Sequence, residues 1–223
     1  MTQAPDKIIW EMKCDSKTFN RVRSDPKFPF IVALARAVNS LNFVQAGLLH
    51  SLKEDSPAGL RDRLNSYFFA SALLYEALGL IKAMKKEFRY DPAFVIGLQP
   101  LLKDKTSKRM EEEHLKAVRN SVVFHFLPER MAEMIKSKSV DECIFAAGSG
   151  DAKKDVYYPF ADVIAAEVLV GFGGDSKEFY ETLANAMART RKLLLHFTHH
   201  AEILIMAHLV TWRFSLPAQS GIS

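Results

Sequence analysis

Cysteine is scarce in this chain, with only Cys14 and Cys143 among 223 residues and no Cys-x-x-Cys spacing. Two distant cysteines cannot form a disulfide framework or a thiolate zinc site, because both need several cysteines at suitable spacing. We therefore expect free thiols in a reducing compartment, which predicts a cytoplasmic protein.

A long uninterrupted apolar run is also missing. The longest nearly apolar stretch, residues 67–81, contains Glu76 and is shorter than the about 20 residues that a membrane-spanning helix needs. The first residues, MTQAPDKIIWEMKCD, lack the apolar core and the cleavage site of a secretory signal. We expect a buried helix over residues 67–81 and no association with a membrane.

Signals for strands and for phosphate-binding loops are scarce as well. Residues 143–147 are too short to found a sheet, and no alternating polar and apolar stretch pairs with them. The glycines at 148–150 and 171–174 follow no predicted strand and precede no Lys-Ser/Thr, which excludes Walker and Rossmann loops. The chain is therefore predicted to be all-α.

Neither sign of charge dominates, since 30 Lys and Arg against 26 Asp and Glu leave a net charge of +4. So small a surplus permits a nucleic-acid partner without requiring one. Hydrophobic residues make up 48% of the chain, enough for a sizeable core. We predict one helical domain over residues 28–215, an N-terminal extension over 1–27 and a disordered tail over 216–223.

Apolar residues at helical spacing are clearest from Leu60 to Phe88. Ser56-Pro57 is a typical start for this helix, and Asp91-Pro92 is a typical stop. The prediction is a bundle of about six or seven helices, with the long ones packed up-and-down. The other predicted helices cover residues 29–52, 91–102, 107–126, 129–138, 157–170 and 175–214.

One stripe of the long helix, formed by Leu74, Leu78 and Ile81, has the spacing of a core-facing surface. We expect this stripe to be buried against the helix over residues 107–126. That helix also carries the chain's most informative motif.

The motif reads Val-Arg-Asn-Ser-Val-Val-Phe-His-Phe over residues 118–126, so that five residues separate Arg119 from His125. It resembles the signature of the HEPN superfamily, in which Arg is followed by four to six residues and then His. Asn120 is a residue type often found after the family's Arg. The resemblance extends to a long apolar helix that precedes the motif helix and often carries an acidic residue, here Glu76.

The resemblance implies a compact helical bundle acting as a metal-independent endoribonuclease, or an RNA-binding relative, without a cofactor. It implies a homodimer with the motif at the interface. It also implies a toxin or defence role, with RNA and an antitoxin-type protein as partners.

Elementary chemistry supports the same assignment. Cleavage of RNA by its own 2′-hydroxyl needs a base, and the imidazole of His125 has a suitable pKa. It also needs a cation at the phosphate, and the guanidinium of Arg119 meets two phosphate oxygens without losing its charge. Ser121, one turn before His125, is expected to orient the imidazole, and Asn120 to bind phosphate or base.

The spacing of the motif favours a dimer. Positions six apart on a regular helix are turned by about 120° and separated by about 9 Å along the axis. Arg119 and His125 therefore converge only if the helix frays before Pro128, or if two subunits share one cleft. We expect a homodimer on this ground.

A non-catalytic alternative remains open. Arg119 then pairs with a carboxylate on its own helix, Glu112 or Glu113, while His125 stabilises the helix end, where a cation is favoured. In that case the protein is a helical interaction or structural protein.

Histidines of the last helix suggest a second alternative, a metal-dependent helical enzyme. His196 and His200 are four residues apart, a spacing that can bind zinc. The His-Glu-x-x-His order is absent, so the third ligand would come from another helix, with Asp162 and Glu167 as candidates. Such histidines are otherwise typical of a core edge or an interface.

A basic cluster ends the long helix, and it favours binding of RNA phosphates. Cations also stabilise the carboxyl end of a helix, which is the competing interpretation. Its members are Lys82, Lys85, Lys86 and Arg89.

Overall fold

The computed structural model describes residues 12–52, 57–123, 128–136, 138, 158–170 and 176–214. Within those ranges no strand is present, which confirms the all-α prediction. The helices are α1 (Ser16–Val22), α2 (Phe28–Ser51), α3 (Pro57–Met84), α4 (105–123), α5 (Pro128–Ile135), α6 (Pro159–Val170) and α7 (Ser176–Thr211). The sequence-based assignments at 143–154, 171–174 and 216–223 lie outside the described residues.

The long helices pack around one main core. Leu74, Leu78 and Ile81 of α3 are buried there together with Leu115 of α4, which confirms the predicted stripe. α2 and α7 run in opposite directions, since Phe28 packs against Trp212 while Asn42 approaches Glu202. This is the predicted up-and-down arrangement.

Part of the segment predicted as an extension is packed helix. α1 begins where the Asp15 carboxylate accepts the amide hydrogen of Thr18 at 2.6 Å, a typical helix cap. Val22 lies in the main core. The Trp212 indole donates to Asp25 at 3.0 Å, and the Arg21 guanidinium donates to the Trp212 carbonyl. α1 and its connection to α2 are thus fastened to the end of α7.

α3 ends at Met84, before the predicted stop at Asp91. Asp91 instead begins a short segment made of a π-type turn, Phe94–Leu98, and a 3-10 turn, Gln99–Leu102. One Asp91 oxygen accepts the Phe94 amide hydrogen at 3.2 Å, and the other lies 2.9 Å from Nε2 of the buried His208. Asp91 therefore joins this segment to α7.

α4 is not a regular α-helix. It begins at an Asp104 cap and contains two π-type turns, Glu111–Leu115 and Arg119–Val123. A π-type turn bonds residue i to residue i+5 and often marks a functional region. The α-helical spacing assumed for the motif therefore does not apply to residues 119–123.

Three helices are long and apolar enough to cross a membrane by length and composition: Phe28–Ser51, Gly59–Met84 and Glu178–Thr211. These helices contain a few charged residues among many apolar ones, so they do not stand out as uninterrupted apolar runs in the sequence. Burial differs between these helices. Of the most apolar 18-residue stretch, 56% is buried in Gly59–Met84 but only 28% in Phe28–Ser51. The protein core thus covers much of α3, while α2 keeps a large exposed face.

Candidate functional site

Arg119 is held between α3 and α4. Its Nε donates to the Glu76 carboxylate at 3.0 Å, and its Nη1 donates to the side-chain oxygen of Asn120 at 3.0 Å. The Arg119 side chain remains 36% exposed. The carboxylate paired with Arg119 thus comes from α3, whereas Glu113, a partner in the non-catalytic alternative, bonds to Arg109.

The other predicted catalytic residues, Asn120 and Ser121, differ in their exposure to solvent. Asn120 lies beside Arg119 and is half-buried, while Ser121 is buried. Arg119 and Asn120 therefore share an accessible surface with Glu76, whereas Ser121 is largely shielded from solvent. His125, the predicted base, lies outside the described residues.

One member of the predicted substrate-binding cluster, Lys82, also lies between α3 and α4. Lys82 forms an ion pair with Glu111 of α4, and six residues of helix place Lys82 about 9 Å along α3 from Glu76. Lys85 and Lys86 are exposed, and the Arg89 guanidinium lies over the Tyr90 ring at 4.6 Å. Lys82 is therefore the member of the cluster that contacts α4, and Lys85, Lys86 and Arg89 follow the last residue of α3, Met84.

The histidines of α7 lie close to one another. The ring centroids of His196 and His200 are 4.7 Å apart, and those of His199 and His200 are 5.1 Å apart. Burial and then repulsion by the two neighbouring rings lower the pKa of His200. In the part of the chain that the structure describes, no three histidine, cysteine or acidic side chains form a group able to hold a metal.

The two candidate third ligands have other surroundings. Glu167 is buried in α6 and forms an ion pair with Lys138. Burial raises the pKa of Asp162, which lies near Arg61 and Asn65. Each carboxyl group thus interacts with residues away from the α7 histidines.

A cleft between α4 and α7 was not identified from the sequence. It consists of two adjoining cavities of about 440 and 480 Å³, and Thr106, Met110 and Arg189 line both. A sequence signal did exist: Arg189, Lys192 and His196 are spaced i, i+3 and i+7, which places them on one helix face. Neither cavity is lined by Arg119 or Asn120.

A hydrogen-bonded pair lies at one end of this cleft. The hydroxyl of the buried Tyr67 bonds to Nε2 of His114, which lines the smaller cavity. Burial raises the pKa of Tyr67, and burial together with the nearby Arg189 cation lowers the pKa of His114. Both groups are therefore uncharged at neutral pH. The hydrogen bond between them links the core to the lining of the cleft.

No protein-family model, no curated protein and no solved structure matches this chain. Its function is therefore inferred from the contacts and charges described above.

Proposed function

We propose that the chain binds RNA at Arg119 and cleaves it without a metal, as a HEPN-like endoribonuclease. The ion pair between Arg119 and Glu76 carries this proposal. An exposed ion pair contributes little to stability, about 0–1 kcal/mol, so positioning of the guanidinium is its more useful effect. In this proposal Lys82 and the cations that follow α3 make further contacts with RNA phosphates.

The proposed reaction uses the RNA's own nucleophile. His125 takes the proton of a 2′-hydroxyl, and the 2′ oxygen attacks the adjacent phosphorus while Arg119 stabilises the charge on the phosphate oxygens. The bond from phosphorus to the 5′ oxygen breaks, that oxygen takes a proton from water, and the hydroxide that remains removes the proton from His125. The products are a 2′,3′-cyclic phosphate and a 5′-hydroxyl.

A homodimer is part of the proposal. Apolar side chains are exposed on α7 at Ile203, Met206 and Val210, which share one helix face, and Phe43 of α2 is 80% exposed. Association would cover these side chains, and the six-residue separation of Arg119 and His125 is the reason to expect that two copies share one cleft. Light scattering tests this directly, because a particle of 25.2 kDa at working concentration would contradict it.

A toxin or defence role, with an antitoxin-type partner, belongs to the same proposal. Expression of the wild type and of His125→Ala in bacterial cells would test it. Growth arrest by the wild type alone is expected, and equal growth of both strains would contradict that role.

The exposed apolar faces of α2 and α7 favour a second candidate, a helical interaction protein without activity. RNA cleavage in the presence of chelator separates the two. We expect the wild type to cleave RNA in EDTA and to leave cyclic-phosphate ends, and no cleavage of any RNA tested would place the interaction protein first.

Two substitutions assign the proposed roles. His125→Ala should lower the cleavage rate about 10²–10⁴-fold while RNA affinity persists, because it removes a base. Arg119→Ala should lower both cleavage and affinity and weaken the salt dependence of binding, because it removes a phosphate contact. His199→Ala and Arg36→Ala, which change exposed residues on other helices, are the matched controls. Equal cleavage by wild type and His125→Ala would refute the assignment of the base.

Glu76→Gln tests the positioning of Arg119. This change removes the charge that holds the guanidinium but keeps the shape of the side chain. We expect a lower cleavage rate with a change in the free energy of unfolding below about 1 kcal/mol, because the pair is exposed. An unchanged rate would show that Glu76 does not position Arg119 for catalysis.

A further inference from the structure

We propose that the cleft between α4 and α7 binds a small organic phosphate. Arg189 and Lys192 hold the phosphate group in this assignment, and the apolar side chains of Met110 and Leu193 contact the organic part. The site is separate from the proposed RNA site, since its lining excludes Arg119 and Asn120.

The dimensions of the cleft suit a small molecule. Its two cavities of about 440 and 480 Å³ fall within the range of about 300–1,000 Å³ that is typical of ligand pockets. Arg189 lines both cavities and therefore stands where they join. A ligand in either cavity is within reach of its guanidinium.

The carboxylates of the lining are already engaged. Glu113 accepts a hydrogen bond from Arg109 at 2.7 Å. Asp104 caps α4, accepting from the amide and the hydroxyl of Ser107 at 2.7 and 3.0 Å. The amide groups at the start of α4 are therefore already bound to the Asp104 carboxylate. A negatively charged ligand would have to bind other groups of the lining.

Two cations of the lining are not so engaged. Among the described residues, no hydrogen bond or ion pair involves Arg189 or Lys192. They lie one helical turn apart on α7 and face the same cavity. Two adjacent cations match the two negative charges of a phosphate group better than they match the single charge of a carboxylate.

The remaining lining adds hydrogen-bonding groups and an apolar wall. Thr106 contributes a hydroxyl, and His114 contributes a neutral imidazole that is anchored by Tyr67. Met110 and Leu193 are largely buried and line the larger cavity together with Arg189 and Lys192. A ligand with one charged end and one apolar end is therefore a better match than inorganic phosphate.

Calorimetric titration of the full chain with phenyl phosphate tests this assignment. Phenyl phosphate should bind more tightly than inorganic phosphate, and benzyl alcohol should give no measurable heat. Arg189→Gln and Lys192→Gln should each weaken binding about tenfold or more, since a hydrogen bond to a charged group contributes about 1.5–3 kcal/mol. Arg191→Gln is the matched control, because Arg191 is exposed on α7 and lines neither cavity.

Each contrary outcome has a definite meaning. Absence of phenyl phosphate binding to the folded wild type would overturn the proposal. Equal weakening by Arg191→Gln would also overturn it, because the attraction would then be a general effect of charge. A short RNA oligonucleotide whose binding depends on Arg189, with no binding of phenyl phosphate, would assign the cleft to RNA instead. The titration uses no RNA cleavage, so a failure of the proposed nuclease activity leaves its result interpretable.

Discussion

Two helical glycines should respond in opposite directions to the same substitution. Gly79 lies on α3, and a Cβ atom added there would meet nothing within 4 Å. Gly97 lies in the Phe94–Leu98 turn, and an added Cβ would lie 2.9 Å from Nδ1 and 3.1 Å from Cβ of His200. Gly79→Ala therefore adds a methyl group to open space, whereas Gly97→Ala adds the same group to an occupied site.

The expected magnitudes follow from these surroundings. Gly79→Ala should stabilise the fold by about 0.5–1 kcal/mol, the difference between glycine and alanine in a helix. Gly97→Ala should destabilise it by about 1–2 kcal/mol, because overpacking a core costs about 1–3 kcal/mol and outweighs the helical gain. The cost is not easily relieved, since the His200 Cβ is fixed to the α7 backbone.

Denaturation in urea, followed by circular dichroism and by the fluorescence of the buried Trp212, measures both changes. His200→Ala should recover part of the loss in the Gly97→Ala background, because it removes Nδ1 and Cγ but leaves Cβ 3.1 Å from the new methyl. If Gly97→Ala stabilised the protein as much as Gly79→Ala, the close approach of the Phe94–Leu98 turn to α7 would be refuted.

Three further changes test the core, the Tyr67–His114 pair and the Asp91 junction. Leu78→Ala should lower the free energy of unfolding in urea by about 2–5 kcal/mol, because Leu78 is buried. Leu49 is more exposed, so Leu49→Ala should lower it by under about 1 kcal/mol. A loss below about half a kcal/mol for Leu78→Ala would contradict the burial of Leu78. The pKa of His114 is lowered in the fold, so the unfolded chain takes up a proton at a higher pH than the folded chain, and stability should fall as the pH drops below about 6.5 towards the lower folded pKa. His114→Gln should reduce this fall, and an unchanged pH profile would contradict the assignment. Asp91→Ala should cost about 2–4 kcal/mol, because it removes a cap and leaves His208 buried without its partner; a melting temperature equal to that of the wild type would contradict this role.

The sequence predicted the helices well where an apolar stripe covers several turns. α2 and α7 lie within a few residues of their expected limits, because each has a long repeating pattern and a recognisable start. Helix ends were less accurate. α3 ends at Met84 rather than near Asp91, since proline restricts the preceding residue without specifying where the helix stops. α1 was not predicted, because seven residues are too few for a periodic signal.

The candidate site was predicted in its residue types but not in its contacts. The pattern identified Arg119, and the resemblance suggested Glu76, yet only the packing of α3 against α4 brings the two within 3.0 Å. The burial of Ser121 was not predicted either. Ser121 lies in the π-type turn Arg119–Val123, and no apolar repeat in the sequence indicates such a turn.

Fold class, helix faces and the composition of the core were thus determined by the sequence alone, because helical periodicity is a local property that neighbouring residues encode together. The tertiary structure decided which charges meet, which glycine must stay small and where a cleft remains between α4 and α7. These features depend on atoms from helices far apart in the chain, such as Gly97 and His200 or Tyr67 and His114. Close packing sets such distances to within a few tenths of an ångström, and no spacing along the chain specifies them.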